Sequence, residues 1–266
     1  MSDLPLPSWT PNDCWHRADY CGMPGPTTTG VRPGTRLRRV GSVTITTAGS
    51  RLAALEIDGT LTIKASGVRV EDCLIRPRGN AVAVSLPYTG VSGVELVHVE
   101  IDGGRQNPSV VGIAGSGFVV DAADIHGTGD AIDASSNVVV QNSWIHDLVA
   151  WDGDHTDGIQ SSGGRSLRIV NNTIDALGPA TNSAILTGAD LGPLDQVIIE
   201  HNLLRGGNYT VYAGTGGRFD SGSIIISGNR FGSGYRYGPC SLRPARGRTI
   251  QSSGNVDDAT GAPLRC

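Results

Sequence analysis

Asn137-Val-Val-Val-Gln-Asn-Ser-Trp-Ile145 carries three features in nine residues: an apolar run, a polar pair, and a second apolar pulse. The same pattern recurs as Gly67-Val-Arg-Val-Glu-Asp-Cys-Leu-Ile75, Gly93-Val-Glu-Leu-Val-His-Val-Glu-Ile101 and Gly117-Phe-Val-Val-Asp-Ala-Ala-Asp-Ile125. It continues as Ser166-Leu-Arg-Ile-Val-Asn-Asn-Thr-Ile174, Gln196-Val-Ile-Ile-Glu-His-Asn-Leu-Leu204 and Ser223-Ile-Ile-Ile-Ser-Gly-Asn-Arg-Phe231, with starts 20 to 30 residues apart. Alternating β-branched residues indicate strands. One such repeat cannot bury its own apolar face, so the repeats must stack and share a core.

Second strands follow most repeats, as in Ala81–Ser85, Val111–Gly115, Ala131–Ser135, Gly158–Ser162, Ala184–Gly188 and Thr210–Gly214. Two or three short strands per repeat predict an all-β chain, a right-handed parallel β-helix of about eight to ten rungs. The residues divide into an irregular Pro-rich arm (1–25), the helix (26–257) and a tail (258–266), with no linker between them. Ser143, Asn172, Asn202 and Asn229 fall in register, and stacked amides can hydrogen-bond from rung to rung. We read that column as structural.

These repeats resemble those of the pectate-lyase-like superfamily of right-handed parallel β-helix proteins. The stretch Thr27-Thr-Thr-Gly-Val-Arg-Pro-Gly-Thr-Arg-Leu37, with Ile45-Thr-Thr-Ala-Gly49 and Leu61-Thr-Ile-Lys-Ala-Ser-Gly67, resembles the opening of secreted bacterial members. The resemblance covers roughly residues 26 to 257. It implies a polysaccharide partner and one of several roles: lyase, glycoside hydrolase, uronan epimerase or non-catalytic adhesin.

Composition narrows the classes further. With 38% hydrophobic residues and 38 glycines, the chain suits short strands and turns rather than a helical bundle. A net charge of −4 gives no basic stripe for nucleic acid, and no apolar run is long enough for a membrane span. No signal peptide is visible at Met1 to Pro7, which fits either a cytoplasmic protein or a secreted one read as its mature chain; the resemblance to secreted members makes the secreted setting the expectation. A monomer is expected. Among Cys14, Cys21, Cys73, Cys240 and Cys266, pairing of the first two and of the last two would staple loose ends and leave Cys73 buried.

Equivalent positions on stacked parallel strands lie about 4.8 Å apart. After the last apolar residue of each repeat comes an ionisable column: Arg76, Asp102, His126, His146, Asp175 and Arg205. Before each second strand lies another: Asn80, Val110, Asp130, Asp157, Ser183 and Tyr209, with Asp133, Gln160, Leu186 and Tyr212 facing outward beyond it. The long stretch from Asp147 to Thr156 adds Trp151, Asp152, Asp154 and His155. Together these predict a sugar-binding cleft between residues 125–133 and 145–160. The catalytic candidates are Asp157, His155, His146, His126, Asp130 and Arg205; the substrate-binding candidates are Trp151, Gln160, Asp133, Arg76, Tyr209 and Tyr212.

Three chemistries compete for this cleft. β-Elimination on a uronic-acid glycan is the first expectation, with Arg76 and Arg205 binding carboxylates, a histidine or tyrosine moving the proton, and Asp130, Asp154 and Asp157 holding Ca²⁺. In hydrolysis two carboxylates such as Asp130 and Asp157 flank the bond, about 5 Å apart for retention and about 6.5–9.5 Å for inversion. Here His155-Thr-Asp157-Gly-Ile159 is similar to the Asn-Thr-Asp-Gly strand start of polygalacturonase-type hydrolases, but Asn182-Ser183 stands where that family has paired aspartates. A transition metal held by His126, His146, His155 and Asp157 is the third. A binding module would use the same cleft without chemistry.

Overall fold

A computed structural model describes residues 12–105, 107–215, 217–245 and 248–266. Residues 1–11 of the expected arm lie outside the described residues. The chain winds into a parallel β-solenoid of three sheets. Sheet A has ten strands, from Arg38–Val40 to Val256–Asp257. Sheet B has nine, from Val43–Ile45 to Gly238–Leu242, and sheet C nine, from Arg51–Ala53 to Ile250–Ser253. The strand pairs named within these sheets are parallel and join one rung to the next, for example Val138–Gln141 to Gly164–Val170. No described helix is long and apolar enough to cross a membrane.

The recurring apolar pulse becomes a continuous stack. Ile75, Ile101, Ile125, Ile145, Ile174, Leu204 and Phe231 occupy successive rungs of sheet A in strict register. All are at most 1% exposed. Each contributes about 1.5–3 kcal/mol of burial, which no single rung could collect alone.

The corner from sheet C to sheet A is sharp and repeats identically. Its first residue adopts the left-handed backbone conformation in rung after rung: Asp72, His98, Ala122, Asn142, Asn171, His201, Gly228 and Gly254 have φ between 49° and 65°. From Ser143 onward the next residue supplies a ladder. Asn172 Nδ2 donates to Val140 O at 2.9 Å and to Asn202 Oδ1 at 3.0 Å. Asn202 repeats this towards Ile169 O and Asn229 Oδ1, and Asn229 towards Ile199 O and Asn255 Oδ1. Ser143 closes the upper end, its N–H donating to Asn172 Oδ1. The column read as structural in the sequence is a buried amide ladder, one rung longer than the repeats suggest.

The N-terminal arm runs up the outside of the coil. Its Asp13 N–H donates to Asp258 O, and the strand-free residues 26–37 that follow continue along the coil, where Gly30 N–H donates to Ala122 O and the Arg32 guanidinium binds Asp72 and Glu71. Cys14–Cys21 ties the start of the arm, and Cys240–Cys266 ties the tail to the last strand of sheet B. Cys73 is free and buried.

Candidate active site

Two residue columns that are neighbours in sequence end up on different sheets. His126 and His146 project from the outer face of sheet A, with ring centroids 5.2 Å apart. His146 stacks on Trp144 at 3.5 Å and faces Asp124 and Asp147 at 3.0 and 2.8 Å. His126 lies 3.7 Å from Glu100 and 3.9 Å from Asp102, and Glu100 raises its pKa above the ordinary histidine value. Asp130 and Asp157 instead open the strands of sheet B. The single cleft expected from the sequence is therefore divided: the histidine pair is engaged by sheet A carboxylates.

Both arginines expected to bind a substrate carboxylate are already occupied. Arg76 bridges Glu56 at 2.7 Å and Asp102 at 3.1 Å. Arg205 grips Asp175 through two hydrogen bonds and lies 4.2 Å under the Trp15 ring of the arm. The stacked rungs that brought opposite charges into register also neutralised them.

The Asp130–Asp157 pair has the opposite character. Asp157 is 1% exposed. Its Oδ1 accepts from Asn182 Nδ2 at 2.9 Å and from the Ser183 hydroxyl, while its Oδ2 is buried without a partner. Its own N–H donates to Asp130 Oδ1 at 2.8 Å. Burial, reinforced by the charge of Asp130, pushes Asp157 up to about 7 despite those two donors. Burial likewise raises Asp130 to about 6, with Asp133 adding to the rise while the Asp157 N–H and His155 oppose it. Two adjacent carboxyls that titrate near neutrality behave as one coupled acid–base unit.

The backbone delivers this geometry through a register shift between Thr156 and Asp157. Gly158 makes room for it: a Cβ there would lie 2.5 Å from Ala184 O and 2.6 Å from Ile174 Cγ2. The preceding segment is anchored by Val149 N–H to Thr128 O and Thr156 Oγ1 to Val149 O, and it lifts Trp151 into solvent at 58% exposure. Asp154 closes a small turn, accepting the Trp151 N–H at 2.6 Å. It is not drawn to the carboxyl pair. Among the described residues no group of three or more acidic, histidine or cysteine side chains is placed to hold a metal ion, so neither the Ca²⁺ set nor the His126, His146, His155, Asp157 set is assembled.

Along the outer face of sheet B, Asp133, Gln160, Leu186 and Tyr212 follow one another in register as expected. Tyr209 packs edge-on to Tyr212 at 5.3 Å and against Tyr237 at 5.7 Å. Upstream, Tyr88 donates to Asp133 Oδ2 at 2.8 Å, and burial pushes its phenol up to about 12, keeping it a donor. Tyr88 and Asp133 also line an open groove of about 620 Å³ with Ser162, Arg165 and Leu191. Sequence reasoning missed Asn182, Ser183 and Tyr88 as site residues. Ser183 stood in the column with Asp157 but was given no role, Asn182 was visible only as a departure from a hydrolase motif, and Tyr88 reaches Asp133 across 45 positions. No protein family, curated protein or solved structure matches this chain.

Proposed function

We propose that this protein is a carbohydrate-active enzyme that hydrolyses a polysaccharide laid along the outer face of sheet B, with Asp157 as proton donor and Asp130 as its carboxylate partner. The observation that carries this reading is the buried Asp157 carboxyl, one oxygen unpartnered, beside a second carboxyl in a less enclosed position. A carboxylic acid that keeps its proton near neutral pH is what protonation of a glycosidic oxygen requires. Asp157 Oδ2 is buried, so the step requires it to be uncovered as the polymer binds; Asp157 then gives its proton to the leaving oxygen as the C–O bond breaks, and Asp130 takes one from the attacking water. Solvent exchange then returns the pair to its starting state. Trp151, Tyr209 and Tyr212 offer ring faces for sugars, and Gln160 and Asp133 offer polar contacts beside the pair.

The likeness of the repeats to the pectate-lyase-like superfamily supports a glycan substrate and a secreted setting. Elimination on a uronic-acid chain is less well supported, because Arg76 and Arg205 are held by internal carboxylates. A panel of neutral and acidic polysaccharides, incubated with and without EDTA, tests the reading. New reducing ends without ultraviolet absorbance from an unsaturated product support hydrolysis. Unsaturated ends assign elimination instead, and binding without turnover by the wild type assigns a glycan-binding module.

A further inference from the structure

Asp157 Oδ1 and Oδ2 differ sharply in what they touch. Oδ1 receives two donors, Asn182 Nδ2 at 2.9 Å and the Ser183 hydroxyl; Oδ2 is buried and receives none. An oxygen already accepting two hydrogen bonds is stabilised as the unprotonated one, so this geometry directs a proton on the carboxyl to Oδ2. The orientation of Asn182 is itself fixed from further along the coil. Asn208 Nδ2 approaches Asn182 Oδ1 at 3.4 Å, and Asn208 N–H donates to Asn182 O at 2.7 Å. That leaves the Asn182 amide nitrogen facing Asp157, because its oxygen is turned towards Asn208.

We infer that Ser183 and Asn182, the latter oriented by Asn208, are positioning residues that choose which oxygen of Asp157 carries the proton and set the pH at which it is released. The inference rests on the acid role proposed above for its consequence in turnover, and on geometry alone for its effect on the carboxyl. Other groups facing Asp157 are Asp130 on the preceding rung, with Tyr212 on the following strands; His155 and Asp133 act on Asp130. The two donors oppose burial and the Asp130 charge, both of which favour the protonated form. Removing a donor therefore moves Asp157 further up, not down.

The test titrates the Asp157 carboxyl by carbon NMR on aspartate-labelled full-length protein, with Asp157→Asn supplying the assignment. Ser183→Ala is expected to raise its midpoint by about one pH unit, a tenfold gain in proton affinity. Ser183→Thr, which keeps the hydroxyl, is expected to restore it. Asn208→Ala, at a half-buried position outside the pair, is expected to give a smaller rise in the same direction and serves if Ser183→Ala fails to fold. On a hydrolysed polymer the alkaline limb of the pH–rate profile should move with the titration, which simple structural damage would not cause. A folded Ser183→Ala whose Asp157 titrates as in the wild type overturns the inference. A shifted titration in a protein with no turnover on any polymer upholds the tuning and removes the acid role.

Discussion

Asp157 costs the fold something, and the sign of that cost can be measured. Its folded pKa of about 7 lies well above the value of 3.8 for a free carboxyl, so between those pH values the folded protein holds a proton the unfolded chain has lost. The associated stability is complete below about pH 4 and declines as pH rises towards 7. Asp157→Asn should therefore raise the melting temperature at pH 8 and change it little at pH 4; a uniform shift at both would contradict the burial of a proton. The same substitution should lower kcat by about 10²–10⁴-fold while leaving glycan binding in place, as read by turnover and calorimetry. With Asp130 near 6 and Asp157 near 7, kcat/KM for the wild type should peak between those values and fall on both sides. A flat profile from pH 5 to 9 excludes this pair as the acid and base.

At the scale of the element, the ladder and the Gly158 strand make separable demands. Asn202 both accepts from the neighbouring Asn172 and donates to Ile169 O and Asn229, all in a buried corner. Asn202→Ala strands several polar groups at once, each costing about 1–3 kcal/mol, so urea unfolding should show a large loss of stability with unchanged sheet B chemistry. Gly158→Ala should cost about 1–3 kcal/mol through overpacking and also displace Asp157, so it should impair turnover more than Asn202→Ala does at a temperature where both are folded. These elements also show what was legible beforehand. Repeats in strict register announce themselves, so the strands, the ladder and the outward column Asp133–Gln160–Leu186–Tyr212 could be read from spacing. The direction in which a corner turns could not. His126 and Asp130 are four positions apart in sequence but flank the corner from sheet A to sheet B; Gly127-Thr-Gly129 between them signals a turn without giving its angle. The ionisable column aligned Arg76 with Asp102 and Arg205 with Asp175, so those ion pairs could be read from it, whereas Glu56, the second partner of Arg76, could not.

Across the whole molecule, stability must come from end to end, since each rung leans only on its neighbours. The arm and the strand-free residues after it, to Arg32, span from Asp258 to Asp72 along the outside of the coil, and Cys240–Cys266 holds the last rung against its tail. Closing that loop of 26 residues contributes about 3 kcal/mol in the chain-entropy view. Cys266→Ser should lower the melting temperature and release amide protection first around 238–257, leaving 118–170 protected. Uniform loss of protection would mean the coil unfolds as one unit rather than from its end.

The two kinds of corner give the molecule an asymmetric capacity for change. From sheet C to sheet A the bend is two residues from 72–73 onward, held by its left-handed backbone and, from Ser143 to Asn255, by the ladder, so an insertion in those later rungs would break a continuous chain of amides. From sheet A to sheet B the connection is as short as 207–208 or as long as 147–155, and the strands that follow still pair in parallel with their neighbours, with register shifts at Thr156/Asp157 and Thr187/Gly188. One edge of the coil is thus a fixed spine, and the edge beside the carboxyl pair is open to rewriting. Under the function proposed above, loops of new length and composition grafted at 147–155 would change which polymer is held, with the spine left untouched.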